Sequence, residues 1–211
     1  HEKVLKTVSR WLNLNRQKAD TTQLGMTDVG NVDRFVAKWK DAIRYCPEMK
    51  QWLVWNGNVW EPDVARRIIE LVKGAHKDIY QEAASAGTRE ERQALARWAV
   101  QSESVQRIEA TEKLARSREE LVVRVAELDQ DPWLLGAKNG TVNLKTGDLQ
   151  QPNPLDMLTR FVPVNYNPRA EAPLLLDMLK RSLGSDELVD YLFRCVGLTI
   201  SGRVEKALIV C

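Results

Sequence analysis

Over the first half of the chain apolar residues recur at intervals of three and four, the period of helices packed by one face. Val4, Leu5, Val8, Trp11 and Leu12 follow this spacing with no capping residue ahead of them, which predicts a chain that begins inside a helix longer in its parent protein. Asn13 to Gly25 is polar and irregular. Thr27 or Asp28 then caps a helix of about four turns, with Val32, Phe35, Val36, Trp39 and Ile43 as its buried stripe and Pro47 as its stop. Asp28, Asn31 and Arg34 share one face of that helix, so they bond one another, grip a partner, or cap and pack the first turn.

Between Gln51 and Pro62 the period shortens to two. Trp52-Leu53-Val54-Trp55 and Asn58-Val59-Trp60 flank Asn56-Gly57, a pair suited to a type I′ turn, with Trp55 and Trp60 set to stack across the strands. Asp63 caps the next helix, which carries Val64, Ile68, Ile69, Val72, Ala75 and Ile79 on one side and Arg66, Arg67, Lys73 and Lys77 largely on the others. Those cations either touch phosphate or simply solvate that face. Gly74, inside the helix, weakens it by about 1 kcal/mol. After a turn at Ser85 to Gly87, Thr88 and Glu91 form a capping box. The helix they open runs through Leu95, Trp98, Ser102, Val105, Ile108 and Ala115, antiparallel to the one before. A short helix through Leu121, Val122, Val125 and Leu128 ends at Asp129 to Pro132.

The stretch from Trp133 to Leu149, WLLGAKNGTVNLKTGDL, organises the C-terminal part of the chain. Asn139-Gly140 supply a turn where positive φ is cheap, Val142 and Leu144 alternate inward, and Lys145-Thr146-Gly147 turn the chain back. Pro152, Pro154, Pro163, Pro168 and Pro173 predict an extended connector lying against the surface of the segments before it. Leu174 to Leu183 forms a helix that Gly184 terminates, and Ser185 with Asp186 caps another through Leu188, Val189, Leu192, Val196 and Ile200. Lys206 to Cys211 is an apolar run of the kind found in buried parallel strands. The expected fold class is mainly α with two small β-hairpins, an α+β arrangement. Its parts are a helical domain over 1–158 with hairpins near 51–62 and 138–150, an extended connector over 159–173, and a helical pair with a first strand over 174–211.

Composition narrows the function. A net charge of +2 means that no global field demands nucleic acid, so any such contact comes from local patches or from repetition in an oligomer. Cys46, Cys195 and Cys211 are scattered, and only His1 and His76 could join them, which argues against a zinc site or disulfide framework and fits a reducing cytoplasm. No run approaches a membrane span, and no signal peptide is visible. The seven tryptophans are spread along the chain as core residues are; base stacking is the alternative for Trp52, Trp55 and Trp60. No pattern for nucleophilic, metal or acid–base catalysis occurs, and the nearest carboxylate pair, Asp129 and Asp131, reads as a turn that ends a helix. No catalytic, metal-ligating or cofactor-binding residue is assigned.

Three separated motifs carry a resemblance: TDVGNVDRF from Thr27, NGTVNLKTGDL from Asn139, and PVNYNPRAEAP from Pro163. In this order and spacing, from about residue 24 to the end, the chain resembles the N-terminal domain of phage, plasmid and poxvirus-type primase-helicases of superfamily three. The resemblance implies a helical accessory domain leading into an α/β ATPase region, with Thr27, Asp28, Gly30, Asn31, Arg34, Phe35, Asn139, Gly140, Thr146 and Gly147 as motif residues of structural role. The parent would be an ATP-dependent DNA helicase of a phage or other mobile genetic element, acting in the host cytoplasm. It would be a hexamer when full-length. ATP and magnesium would belong to the downstream domain, because no G-x-x-x-x-G-K-[ST] occurs here and this chain alone is expected to hydrolyse nothing. Single-stranded or forked DNA and other replication proteins are the expected partners. Arg66, Arg67, Lys138 and Lys145 are the candidates for DNA contact, the two lysines because the hairpin projects them. The alternatives are a recruitment module that touches protein and not DNA, and a structural spacer.

Overall fold

The computed structural model describes residues 24–202 and has the expected α+β character, with six α-helices and two small sheets among them. The amphipathic segment from Val4 to Leu12 and the run from Lys206 to Cys211 lie outside the described residues. The chain forms two compact units that meet in sequence at Leu128/Asp129, upstream of the boundary at 158 read from the sequence.

In the first unit, Thr27 caps helix α1 (Asp28–Trp39) by accepting from the Gly30 amide at 3.0 Å. Val32, Phe35, Val36 and Trp39 face the core as their spacing predicts. The helix stops at Trp39, however, and Pro47 is not its terminator. Ile43 is buried on a strand instead, because β1 (Ile43–Cys46) pairs antiparallel with β2 (Gln51–Trp55), setting Ile43 opposite Val54 and Cys46 opposite Gln51. The i+4 position after Trp39 and the inner face of a strand meet the same core, and the pairing with β2 decides between them.

Strand β3 (Trp60–Pro62) completes a three-stranded sheet. Trp55 and Trp60 are opposite each other as expected, with ring centroids 5.6 Å apart, but the rings are tilted by 57° and not stacked face to face. The turn is a four-residue loop and not type I′: only Gly57 has positive φ, and Asn56 Oδ1 accepts from the amides of Asn58 and Val59, both at 2.9 Å. Helix α2 (Arg67–Ser85) begins later than the pattern suggests, so Val64 is 85% exposed in the preceding turn. Asp63 still caps it, accepting from Arg67 N at 2.8 Å and Ile68 N at 3.0 Å.

Thr88 caps α3 (Arg89–Ser102) by accepting from the Glu91 amide. The expected long helix breaks at Glu103–Ser104 and restarts as α4 (Val105–Ala115), which leaves Val105 70% exposed and swings Ile108, Thr111 and Ala115 into the interior. Leu121 to Val123 is not helical either. It runs beside β1, with Tyr45 N donating to Leu121 O at 2.7 Å and Val123 N to Tyr45 O at 3.0 Å. Leu121 and Val123 are buried while Val122 is less so, a period of two that prevails over the short helical reading.

The second unit holds a four-stranded sheet ordered β6-β5-β4-β7, built from β4 (Leu134–Ala137), β5 (Gly140–Asn143), β6 (Leu149–Gln150) and β7 (Phe161–Val162). Ala137 pairs with Gly140, so the turn residues are Lys138-Asn139, and Gly140 opens the next strand. Glycine is required there because φ is +154° and a Cβ would lie 2.5 Å from the Gln150 carbonyl. The proline-spaced connector is not extended throughout: it makes a 3₁₀ turn at Pro154–Asp156 and then returns to the hairpin as β7, parallel to β4. Helices α5 (Pro173–Leu183) and α6 (Asp186–Ile200) come next, with Gly184 in the left-handed region between them and Ser185 capping the second. Val189 is their one buried residue.

Candidate nucleic-acid interface

The polar residues of the first motif go inward or to neighbouring helices. Asn31 is fully buried; its Nδ2 donates to Ser102 Oγ at 3.0 Å and its Oδ1 accepts from Trp98 Nε1 at 3.0 Å. Arg34 forks onto Glu82, with Nε to Oε1 at 2.8 Å and Nη2 to Oε2 at 2.7 Å, and also donates to the carbonyls of Leu24 and Gly25. Asp28 holds Arg107 at 2.6 Å, and that guanidinium lies 4.1 Å from the centre of the Trp98 ring. Gly30 sits where a Cβ would collide with the Gly25 carbonyl, and Phe35 meets Trp52 edge to face at 6.5 Å. Of the three roles open to Asp28, Asn31 and Arg34, the arrangement is that of packing, each tied to a different helix.

Beneath them lies a histidine that carries no motif signal. His76 is buried between the Ser102 carbonyl, 2.7 Å from Nδ1, and Thr111 Oγ1, 3.0 Å from Nε2. A carbonyl can only accept, so Nδ1 carries the proton and the threonine hydroxyl donates to Nε2 of the neutral ring. Burial pushes the imidazole below its ordinary value of 6.5, opposed by the bond to Ser102. Its place four residues after Val72 and three before Ile79, on the apolar face of α2, was the available sequence sign of burial.

The four candidate cations divide between the two units. Arg66 is exposed at the start of α2, in the left-handed region with φ 54°. Its neighbour Arg67 is 9% exposed and held by Glu61 at 2.7 Å and Asp63 at 3.4 Å, an occupied guanidinium. In the second unit, Lys138 and Lys145 are exposed at opposite ends of β5, and the Lys145 ammonium lies 5.1 Å from the Trp133 ring centre. The turns carrying them are braced. Asn139 exchanges two hydrogen bonds with the Tyr166 backbone, Thr146 Oγ1 accepts from Asp148 N, and the Tyr166 hydroxyl donates to the Gly147 carbonyl at 2.8 Å, where Gly147 has φ +76°. Trp52, Trp55 and Trp60 are all at most 7% exposed, so they are core residues and not base-stacking platforms.

One cavity of the first unit does join cations to other polar groups. It encloses about 310 Å³ and is lined by Lys73, His76, Lys77, Glu103 and Ile108. Lys73 and Lys77 stand one turn apart on α2, Lys73 bonded to Glu70 at 2.7 Å, while Glu103 comes from the α3–α4 break. Asp129 and Asp131 bind no common centre: Asp129 accepts from the Thr159 amide and hydroxyl, and Asp131 from the Trp133 amide. Among the described residues no group of three or more potential ligands could hold a metal ion, and no helix is long and apolar enough to cross a membrane.

This α+β arrangement of a helical unit and a braced hairpin unit coincides with a family assignment. The family model described as D5 N terminal like matches residues 32–184. The chain belongs to that family, the N-terminal domain of D5-like phage and poxvirus primase-helicases. No curated protein matches the chain.

Proposed function

We propose that this chain is the accessory domain through which a primase-helicase engages DNA and assembles its ring. The single observation carrying this reading is the match of the family model to residues 32–184, the N-terminal domain of replication proteins of this type. Exposed Arg66, and Lys138 and Lys145 on braced turns, are suited to backbone phosphate, and Arg67 is set aside because two carboxylates occupy it. ATP and magnesium do not fit residues of this chain, which has no phosphate loop, and belong to a downstream ATPase domain in the same reading. Fluorescence anisotropy with single-stranded and forked DNA at low salt tests it. Dissociation constants well below ~10⁻⁴ M are expected, and weaker binding refutes DNA engagement.

A second reading, a module that recruits another replication protein, is favoured by one specific observation. Helices α5 and α6 expose Leu174, Met178, Leu188, Tyr191, Leu198 and Ile200, each at 46% or more.

A further inference from the structure

The cavity beside α2 combines two cations, one acceptor and an apolar wall. Lys73 and Lys77 are four residues apart and so lie about 6 Å apart along one helix face, a spacing that lets both reach a single phosphate or its neighbour. Lys77 is exposed, and Lys73 is half-buried and paired with Glu70. Glu103 lines the same cavity, and its carboxylate is an acceptor for an N–H donor. Ile108 supplies a hydrophobic surface at the wall. The cavity, at about 310 Å³, is of the smallest size used for organic ligands, enough for one base and sugar.

We propose that this pocket holds one nucleotide of a single DNA strand, its phosphate on Lys73 and Lys77 and a base N–H donating to Glu103. The proposal rests on the DNA-engaging reading and adds a site to it.

The test is anisotropy of labelled oligo(dT) with the full chain over a salt series. Lys73→Ala with Lys77→Ala should weaken binding about tenfold and flatten the salt slope by roughly 0.7, the contribution of the one single-strand phosphate no longer neutralised. Glu103→Ala should weaken binding several-fold, because thymine N3–H is deprived of its acceptor. Stronger binding by that variant, as from merely removing a negative charge, overturns the nucleotide assignment. An unchanged affinity and slope in the double lysine variant, with an Arg66, Lys138 and Lys145 variant impaired, overturns the pocket but leaves the DNA reading standing. A wild-type chain that binds no DNA ends both. Displacement of the oligonucleotide by an equal concentration of dTMP overturns the strand reading in favour of a free nucleotide. Both lysine substitutions are at solvent-accessible positions, and an unchanged Tm confirms that weakened affinity does not reflect unfolding.

Discussion

Asn31 and Trp98 are 67 positions apart and share a buried hydrogen bond, the indole Nε1 donating to Asn31 Oδ1 at 3.0 Å. The same amide donates to Ser102 Oγ, so one side chain links α1 to two positions on α3. Both partners are buried and would be left unpaired by truncation. Asn31→Ala is therefore expected to lower unfolding free energy by about 2 to 4 kcal/mol, read from urea midpoints.

Arg34 and Glu82 make a two-pronged contact, and the remaining guanidinium N–H groups serve the carbonyls of Leu24 and Gly25. A lysine keeps the charge but has one ammonium in place of a planar fork. Arg34→Lys should cost about 2 kcal/mol, and Glu82→Gln less, since Glu82 is 30% exposed where the arginine side chain is 3% exposed. A lysine variant as stable as the native chain in urea would contradict the role given to the fork.

His76 makes stability depend on pH. Burial lowers its folded-state pKa below the 6.5 of an exposed imidazole; the nearby charges of Arg34 and Arg107 act in the same direction, and the Ser102 bond and Asp28 act against it. The unfolded chain therefore binds the proton first. The stabilisation is fully present above about pH 6.5 and is lost as pH falls from there through the folded value. Urea midpoints for the native chain should be lower at pH 5.5 than at pH 7.5, and the difference should shrink in His76→Gln, which cannot be charged.

Signals that act within a few residues are legible in the sequence, and those set by distant partners are not. Thr27, Thr88 and Ser185 cap helices, and Gly184 ends one, because a hydroxyl near a free amide or a residue tolerant of positive φ acts within a few positions. Ile43 and Leu121 to Val123 carry helical spacing without helical structure, because their state is set by a strand partner elsewhere in the chain. The break at Glu103–Ser104 is hidden for a related reason: Ser102 and Ile108 keep helical spacing across it, yet Val105 between them turns outward. In the candidate site, Asn31 and Arg34 are legible as a shared face, but Glu82, Trp98 and Ser102, which determine their role, arrive only through folding. Lys73 and Lys77 are visible as possible phosphate contacts, whereas the cavity beside them depends on Glu103 and Ile108 from across the helix break.

Two glycines in helices should respond in opposite ways to alanine. Gly74 has open space where a Cβ would sit, so Gly74→Ala should stabilise the chain by about 1 kcal/mol through backbone entropy and helix propensity. At Gly30 the added carbon would lie 2.8 Å from the Gly25 carbonyl carbon, and the segment that also receives Arg34 would have to move. Gly30→Ala should lower Tm while Gly74→Ala raises it. Equal responses would contradict the close approach at Gly30.

In the second unit, Asn139 fastens the connector to the hairpin. Its Nδ2 donates to the Tyr166 carbonyl at 3.0 Å and its Oδ1 accepts from the Tyr166 amide at 2.8 Å, while the Tyr166 hydroxyl reaches the Gly147 carbonyl from the other side. Strand β7 has only two residues in its ladder, so these side-chain bonds stabilise much of the connector's position. Removing both at Asn139 by substitution to Ala, at a net cost of about 1.4 kcal/mol, should speed amide exchange of residues 161–166 roughly tenfold. Asn139→Asp keeps the acceptor for the Tyr166 amide but sets a carboxylate oxygen against the Tyr166 carbonyl, so exchange should again be faster. Tyr166→Phe removes only the bond to Gly147, and its effect should be confined to residues 146–148. If exchange at 161–166 stays at the native rate in Asn139→Ala, the two β7 pairs, the Lys138 amide bond to the Val164 carbonyl and the Tyr166 hydroxyl hold the connector without Asn139.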